Sequence, residues 1–244
     1  SASHSIGTAY SIIKNNQADI MITGGSEATI TPMAVAGFSN MKALTKNQDP
    51  SLACRPFDKL RDGFVIGEGS GVLVIEELQS AKKRGANIIA ELSGYGASAD
   101  AFHLTSPNPE GIGAQLCMKI CLNDGKVNPS DVDYINTHGT STPFNDKIET
   151  KAIKKLFGND IPSLSSSKSM TGHLLGAAGA IEAIISIISI NNSFVPPTIN
   201  YSNPDKDCDL DYTANYARTQ KIDRVMSNTF GFGGHNTSIA FKKY

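Results

Sequence analysis

Cysteine and clustered charge are both scarce in this sequence. The 244 residues include four cysteines, and no two of them form a Cys-x-x-Cys pair. A chain of this length can bury a core without disulfides, so we expect reduced thiols in a reducing compartment. The net charge of -1 leaves no concentration of positive charge for a phosphate backbone, which argues against nucleic acid as a partner.

Long apolar runs and targeting features are missing as well. Residues 1–7 have neither a basic region nor an apolar region, so this end does not resemble a signal peptide. The most apolar stretch, residues 174–190, is short for a bilayer and carries Glu182 near its middle. We therefore expect a soluble protein in which this stretch is a buried core helix and no segment spans a membrane.

Apolar residues recur in a pattern that alternates between strand and helix periods. Helices are predicted over residues 6–14, 78–84, 111–123 and 145–157 and after His173; strands are predicted over residues 19–23, 72–75, 88–92, 132–136, 163–165, 224–228 and 237–241. Such alternation is typical of an α/β fold with a parallel or mixed sheet, in which ligands bind where strands end. The pattern restarts near Gly85, which divides the chain into residues 1–86 and 87–244.

Three of these elements carry more detailed expectations. The strand over residues 19–23 is apolar for most of its length, which predicts burial on both faces. Asn145 is the predicted N-cap of the helix that follows it. On the helix over residues 111–123, three apolar residues are expected to share one face with two core thiols: Ile112, Leu116, Ile120, Cys117 and Cys121.

Glycine-rich loops after predicted strands contain the candidate chemistry. His138 and His173 each lie among small and hydroxyl residues, where a substrate can approach the imidazole closely. Two neutral imidazoles directed at one oxygen would stabilise an enolate, and their proximity and burial would help to keep them neutral. Lys168 and Glu182 flank His173 in the sequence, and each would need a partner if buried, so we expect them to pair.

Simpler interpretations apply to the other histidines and loops. His4, His103 and His235 are interpreted mainly as solvated or hydrogen-bonded turn residues. The histidines show no zinc-ligand spacing and no evident fourth ligand, so we expect no metal site. Residues 230–236 depart from the glycine pattern of nucleotide-binding loops, which weakens a nucleotide-binding interpretation.

Three motifs closely resemble those of the elongating β-ketoacyl-[acyl-carrier-protein] synthases, which have the thiolase-like layered αβαβα fold. They are H-G-T-S-T-P at residues 138–143, K-S-M-T-G-H-L-L-G-A-A-G at residues 168–179 and F-G-F-G-G-H-N at residues 230–236. The two-histidine pattern resembles the elongating rather than the initiating synthases, which carry His and Asn. Residues 102–107 look more like the type II enzymes. The resemblance runs along the whole chain and implies this fold, incomplete at its N-terminus.

The resemblance implies a reaction and a role for five residues. The reaction is decarboxylative condensation of acyl- and malonyl-[acyl-carrier protein] to 3-oxoacyl-[acyl-carrier protein] in fatty acid elongation. His138 and His173 would hold the malonyl thioester oxygen, Lys168 with Glu182 would organise the site, and Phe232 would supply an oxyanion-hole amide and act as a gate. No resident cofactor is implied, because phosphopantetheine arrives on the carrier protein.

The same motif matching implies contacts to substrate and partner. Thr140 and Thr142 would touch the phosphopantetheine arm, and Phe38 would border the acyl pocket. Thr105 and Ser106 would lie at the mouth of the tunnel. Lys42 and Lys46 would meet an acidic carrier protein, because complementary charge accelerates the encounter of two proteins.

The family's nucleophilic cysteine would lie two residues before Ser1, so none of the four cysteines present matches that role. The complete enzyme is expected to be a homodimer in the cytoplasm or the plastid stroma. The isolated chain is expected to be inactive in condensation. The alternatives are a catalytically silent, cysteine-less fragment or partner subunit of a ketosynthase, and a polyketide ketosynthase.

Overall fold

A computed structural model describes residues 2–244, and its elements follow the alternating order that the sequence predicts. The helices are α1 (Ala2–Lys14), α2 (Pro32–Asn40), α3 (Leu78–Lys83), α4 (Ile112–Gly125), α5 (Pro143–Phe157), α6 (Lys168–Thr171) and α7 (Ala178–Asn192). The strands are β1 (Ile20–Glu27), β2 (Gly69–Glu76), β3 (Glu91–Ala99), β4 (Tyr134–Asn136), β5 (Ser163–Ser165), β6 (Phe194–Val195), β7 (Arg218–Thr219), β8 (Arg224–Phe230) and β9 (His235–Lys242). Short 3₁₀ turns, Pro129–Asp131 and Leu175–Ala177, precede β4 and α7.

A five-stranded mixed sheet forms the centre of the molecule. Its strand order is β3-β9-β8-β4-β5; β4 runs parallel to both neighbours, whereas the β8–β9 and β9–β3 pairs are antiparallel. Because successive side chains of a strand point to opposite faces, Ile135 and Met226 pack with α4 and α5, while Tyr134 and Val225 pack with α1 and α7. The resulting helix–sheet–helix layers confirm the predicted α/β class.

A second, antiparallel sheet consists of β1 and β2. The prediction that β1 is buried on both faces is wrong, because Ile20 is 49% and Ile22 is 75% exposed. On the same face of β2, Val72 and Val74 are 62% and 65% exposed. Helices α1 and α7 cover only the opposite face, and no element within residues 2–244 covers this one.

Strand β3 begins at Glu91 and continues to Ala99, so the strand predicted over residues 88–92 lies too early. Its continuation contains Gly94 and Gly96, and glycine is unusual in strand interiors. Close packing requires glycine here, because a Cβ on Gly96 would lie 2.0 Å from the carbonyl oxygen of Cys117 on α4. The apolar pattern therefore missed the part of β3 on which α4 packs.

Helix α4 has two separate faces instead of the single face predicted. Cys117 and Cys121 are fully buried, whereas Ile112, Leu116 and Ile120 are 58%, 46% and 37% exposed. Consecutive positions of a helix differ by about 100° around its axis, so residues one position apart cannot share a face. The two thiols belong to the core, and the three aliphatic residues form a separate exposed stripe.

The N-cap of α5 is Thr142, not Asn145 as predicted. The Thr142 side chain accepts a hydrogen bond from the backbone N–H of Asn145 at 3.4 Å. Pro143 occupies the first helical position, where its missing N–H costs no intrahelical bond. The helix therefore begins earlier than the apolar pattern indicated, directly after the loop that carries His138.

One helical stretch, Leu175–Asn192, is long and apolar enough to cross a membrane by length and composition alone. Half of it is buried inside the protein, and Glu182 near its middle is 2% exposed and paired with Lys168. Helix α7, which makes up most of this stretch, packs against α1 and β8. These are the features of the core helix that the sequence predicts.

Candidate active site

The loops that contain the candidate chemistry meet at one edge of the five-stranded sheet. Strands β4, β5 and β8 run parallel, so their carboxyl ends lie together. His138 follows β4, Lys168 follows β5, and the glycine-rich loop of residues 230–236 begins at the end of β8. His173 follows α6 and lines the same cavity as His138, which has a volume of about 490 Å³. The fold thus brings the two histidines together across 35 positions of sequence.

His138 and His173 meet edge to face. Their ring centroids are 5.3 Å apart and their planes are inclined by 84°. The backbone N–H of Leu175 donates to Nδ1 of His173 at 3.2 Å, and the ammonium Nζ of Lys168 lies 3.3 Å from Nδ1 of His138. Both Nδ1 atoms therefore accept, which leaves the proton of each neutral ring on Nε2.

Both imidazoles are neutral at pH 7. Burial lowers the pKa of His138 well below its ordinary value of 6.5, and the positive charge of Lys168 lowers it further. Burial and Lys168 also lower the pKa of His173 well below 6.5. The cavity therefore receives two Nε2–H donors that carry no formal charge.

Lys168 and Glu182 form a buried ion pair behind His138. Lys168 is 1% and Glu182 2% exposed, and Oε1 of Glu182 accepts a hydrogen bond from Nζ of Lys168. Burial raises the pKa of Glu182, and the charge of Lys168 opposes that rise. Because a lone buried charge is strongly unfavourable, each residue makes the other's burial possible.

Two buried carboxylates on α5, which the sequence reasoning did not identify, hold the His138 loop. Glu149 accepts the backbone N–H groups of His138 and Gly139 at 2.9 and 2.8 Å, and Asp146 accepts those of Thr140 and Ser141 at 2.9 and 3.1 Å. Burial raises the pKa of Glu149 to about 7, although these hydrogen bonds lower it. A sequence signal did exist, since both acids fall on the inward face of an amphipathic helix.

Phenylalanine rings surround the histidines. Phe64 packs edge to face on His173 with centroids 5.0 Å apart, and Phe38 packs in the same way on Phe64 at 5.6 Å. The ring of Phe230 lies 5.7 Å from that of His138. Phe38 lines the cavity, as its predicted place beside an acyl pocket requires, and its role remains a prediction.

The residues predicted to meet the phosphopantetheine arm line the cavity. The hydroxyl oxygens of Thr140 and Thr142 are 2.9 Å apart, so one hydroxyl can donate to the other. The backbone N–H groups of Thr105 and Ser106 donate to Nδ1 of His103 at 3.1 and 3.2 Å, which fixes their turn. All four predicted residues line the same cavity, and their contact with a ligand stays a prediction.

The other predicted residues lie at different distances from the cavity. Phe232 lines it and is 46% exposed, and Lys42 also lines it. Lys46 is exposed and does not line the cavity; its backbone N–H donates to the carboxylate of Asp62 at 2.9 Å. His235, interpreted as a turn residue, also lines the cavity. The centroid of its ring lies 5.0 Å from that of His4.

Cysteines and metal ligands have no evident part in this cavity. All four cysteines are buried, and burial raises the pKa of Cys54 to about 12. The thiol of Cys54 donates to the backbone carbonyl of Lys168 at 3.0 Å. Within the described residues 2–244, no group of three or more His, Cys, Asp or Glu side chains is placed to bind a metal ion.

Two uncharged N–H donors in a buried cavity suit an oxygen that gains negative charge during a reaction, because fixed donors stabilise such an oxyanion more strongly there than in water. This arrangement and the layered α/β fold are those expected of the thiolase-like class that the motifs resemble. The profile of the β-ketoacyl synthase N-terminal domain matches residues 1–81, and that of the C-terminal domain matches residues 89–202. The chain belongs to the β-ketoacyl synthase family.

Relatives and solved structures agree with this assignment. The chain is 55% identical over 99% of its length to 3-oxoacyl-[acyl-carrier-protein] synthase 2 of Staphylococcus aureus (strain COL), and 54% identical over 98% to the protein of the same name in Coxiella burnetii. A β-ketoacyl synthase from Burkholderia phymatum superposes on the whole chain with a TM-score of 0.93 at 40% identity, and covers it with 59% of its own length. The fold is therefore the thiolase-like ketosynthase fold, as the motifs implied.

A further solved structure resembles the chain more strongly in shape. It is a type II polyketide acyl-carrier protein in complex with its ketosynthase bound to the hexaketide, with a TM-score of 0.97, 39% identity, and coverage of 100% of this chain and 60% of that one. The chain spans 59% of the length of the Staphylococcus and Coxiella relatives.

Proposed function

We propose that this chain is the malonyl-handling part of a 3-oxoacyl-[acyl-carrier-protein] synthase that elongates fatty acyl chains. The observation that carries the proposal is the pair of neutral imidazoles, each with Nδ1 occupied and Nε2–H available to the cavity. The names of the Staphylococcus and Coxiella relatives support the choice of reaction.

The proposed reaction assigns a task to each buried group. Malonyl thioester loses carbon dioxide, and the electron pair of the broken C–C bond moves onto the thioester carbonyl as an enolate. The Nε2–H groups of His138 and His173 donate to that oxygen, and the ammonium of Lys168 adds a favourable electrostatic field. The enolate carbon then attacks an acyl thioester on the nucleophilic cysteine, whose sulfur leaves as a thiolate.

The proposed partners follow from the same reaction. Acyl and malonyl groups would arrive on the phosphopantetheine arm of an acyl carrier protein, with Thr140, Thr142 and Thr105 beside the arm. The polyketide ketosynthase with its carrier protein supports this choice. We further propose a soluble homodimer that takes no resident cofactor, with Lys42 near the carrier protein's approach.

The His173→Ala variant of the complete synthase tests the proposal. Removing one donor from an oxyanion site typically lowers kcat roughly 100- to 1000-fold. We expect a loss of that size in malonyl-carrier-protein decarboxylation, measured as released carbon dioxide, with little change in acyl transfer to the nucleophile. Wild-type decarboxylation in the variant would refute the role of His173.

A second candidate is a partner subunit that lacks its own nucleophile. Its support is the ishigamide ketosynthase/chain length factor, which has a TM-score of 0.94 and 40% identity to this chain. The encoded residue two positions before Ser1 separates the two proposals, since cysteine favours condensation and glutamine favours a decarboxylating partner. For the isolated 244 residues we expect no condensation in an assay with acyl- and malonyl-carrier protein, and turnover through any of the four cysteines would contradict this assignment.

A further inference from the structure

We propose that Glu27 is a positioning residue for His173, which it reaches through Gly176, 149 residues away in the sequence. Glu27 is the last residue of β1, and it acts through the 3₁₀ turn Leu175–Ala177 that follows His173. The inference rests on the function proposed above, because it concerns how His173 is aimed at the enolate oxygen.

The N–H groups at the start of this turn are satisfied from outside the turn. Leu175 N–H donates to Nδ1 of His173 at 3.2 Å, and Gly176 N–H donates to Oε2 of Glu27 at 3.0 Å. The first N–H groups of a helical segment have no partner within it. His173 and Glu27 therefore act together as the cap of the turn that leads into α7.

The turn is strained and needs such support. Leu175 has a φ of 45°, in the left-handed region that is unfavourable for a residue with a side chain. Strained residues persist where their neighbours hold them on several sides. On one side, the backbone N–H of His173 donates to the carbonyl of Val65 at 2.7 Å. On the other side, Glu27 holds Gly176.

The packing and charge around Glu27 suit this role. A Cβ on Gly176 would lie 3.0 Å from Oε2 of Glu27, and a Cβ on Gly25 would lie 3.2 Å from the carbonyl oxygen of Gly176. Glycine at both positions lets the end of β1 approach the turn closely. A carboxylate at the start of a helical segment is also favoured by the dipole of that segment.

The consequence of losing Glu27 follows from the tautomer of His173. Without the carboxylate, Gly176 N–H has no acceptor, and the strained turn can relax. Leu175 N–H then leaves Nδ1, which becomes free to carry the ring proton. In that tautomer Nε2 is an acceptor and repels the enolate oxygen.

The first test reads the tautomer directly and does not depend on activity. Imidazole ¹⁵N chemical shifts should show His173 as the Nε2–H form in the wild-type chain and as a mixture of tautomers in Glu27→Ala. Glu27→Gln should restore the wild-type spectrum, because its amide oxygen still accepts. Glu91→Ala is the matched control, since Glu91 pairs with Lys242 on the surface.

The second test uses the complete synthase. We expect Glu27→Ala to lower the kcat of malonyl decarboxylation about 10- to 100-fold, as misplacement of a catalytic group typically does, while acyl transfer changes little. Glu27→Gln should recover most of the rate. If Glu27→Ala fails to fold, Glu27→Asp, which withdraws the carboxylate by one methylene, should show the same tautomer and rate changes to a smaller extent.

Folded variants with an unchanged tautomer and wild-type decarboxylation would overturn the role of Glu27. A wild-type enzyme that does not decarboxylate malonyl-carrier protein would overturn the proposed function instead. The tautomer comparison would still decide the role of Glu27 in that case.

Discussion

At the scale of single residues, the site combines one buried cation with two neutral donors. The Nζ of Lys168 lies 3.3 Å from His138, yet the imidazole stays neutral because burial and this cation both oppose its protonation. Glu182 balances the charge of Lys168. The site can therefore stabilise a developing anion without taking up or releasing a proton.

The first prediction concerns the titration of the two histidines. His138 and His173 have lowered pKa values in the folded protein, so between those values and 6.5 the unfolded chain binds more protons than the folded one. Their contribution to the free energy of unfolding should therefore fall as pH falls below 6.5, by up to about 1.4 kcal/mol per pH unit for each ring. Side-chain NMR titration checks this, and a midpoint near 6.5 for either ring would contradict it.

A second prediction concerns the buried ion pair. Glu182→Ala leaves the ammonium of Lys168 without its partner, so the free energy of unfolding should fall by about 3–5 kcal/mol. Urea unfolding followed by circular dichroism measures the change. Glu110→Ala is the control, because Glu110 pairs with Lys151 and Lys155 on the surface and should have little effect. Equal losses in the two variants would show that burial of the pair is unimportant.

Residue types and motifs identified the polar centre of the site but not its supports. The loop positions of His138 and His173, with a lysine and a glutamate nearby, were enough to predict that a histidine pair and an ion pair form. Asp146 and Glu149 were not identified, although both fall on the inward face of the amphipathic helix α5. Only the fold shows that both carboxylates face the backbone of the His138 loop.

At the scale of elements, α5 works as a clamp on two loops. Asp146 on its first turn accepts the N–H groups of Thr140 and Ser141, and also that of Phe57 at 2.8 Å. Ser141 and Phe57 both have positive φ, at 67° and 66°. One carboxylate thus stabilises two strained turns from different parts of the chain.

The third prediction tests this clamp. Asp146→Asn keeps the shape but replaces an acceptor oxygen with an N–H₂ group that faces backbone donors. We expect a loss of about 2–4 kcal/mol in the free energy of unfolding, since buried hydrogen bonds to charged groups are worth roughly 1.5–3 kcal/mol each. Asp207→Asn, at an exposed partner of Lys147, is the control for the same chemical change. Equilibrium urea unfolding measures both variants. If Asp146→Asn loses no more free energy of unfolding than Asp207→Asn, α5 does not act as a clamp.

The order and type of most elements could be predicted from the sequence, although the short elements α2, α6, β6 and β7 were missed. The edges of the predicted elements depended on tertiary contacts. β3 was placed too early because Gly94 and Gly96 are selected by the approach of α4, which no local pattern reports. The start of α5 was missed because it is set by Thr142 and Pro143. Both residues lie before the first apolar residue that recurs at helical spacing. Both errors concern positions at which a neighbouring element or cap decides the backbone.

At the scale of the whole molecule, the two sheets differ in how completely they are covered. The five-stranded sheet has helices on both faces, whereas the β1–β2 sheet has a bare face with Ile22 and Val74 at its centre. The apolar start of β1, residues 20–22, correctly indicated a strand. It could not indicate that residues 2–244 supply a cover for one face only.

The fourth prediction follows from this bare face. Contiguous exposed apolar surface favours association, so the isolated chain should form concentration-dependent oligomers in light scattering after size exclusion. The double variant Ile22→Thr/Val74→Thr keeps β-branched side chains and should raise the monomer fraction. Ile112→Gln/Leu116→Gln, on the exposed stripe of α4, is the control and should change it less. A larger effect from the α4 variant would show that the chain associates through the exposed stripe of α4 instead.

The hydrogen bonds at the two Nδ1 atoms also define which small molecules the cavity can accept. Where the two rings line it, the cavity is offered two N–H donors and no imidazole lone pair. A ligand that places a carbonyl, sulfonyl or carboxylate oxygen at this point finds complementary partners. One that places a hydroxyl or amine hydrogen there leaves buried donors unmatched, which costs about 1–3 kcal/mol for each. Inhibitor selection against this site should therefore rank candidates first by the acceptor that they carry to the histidine pair.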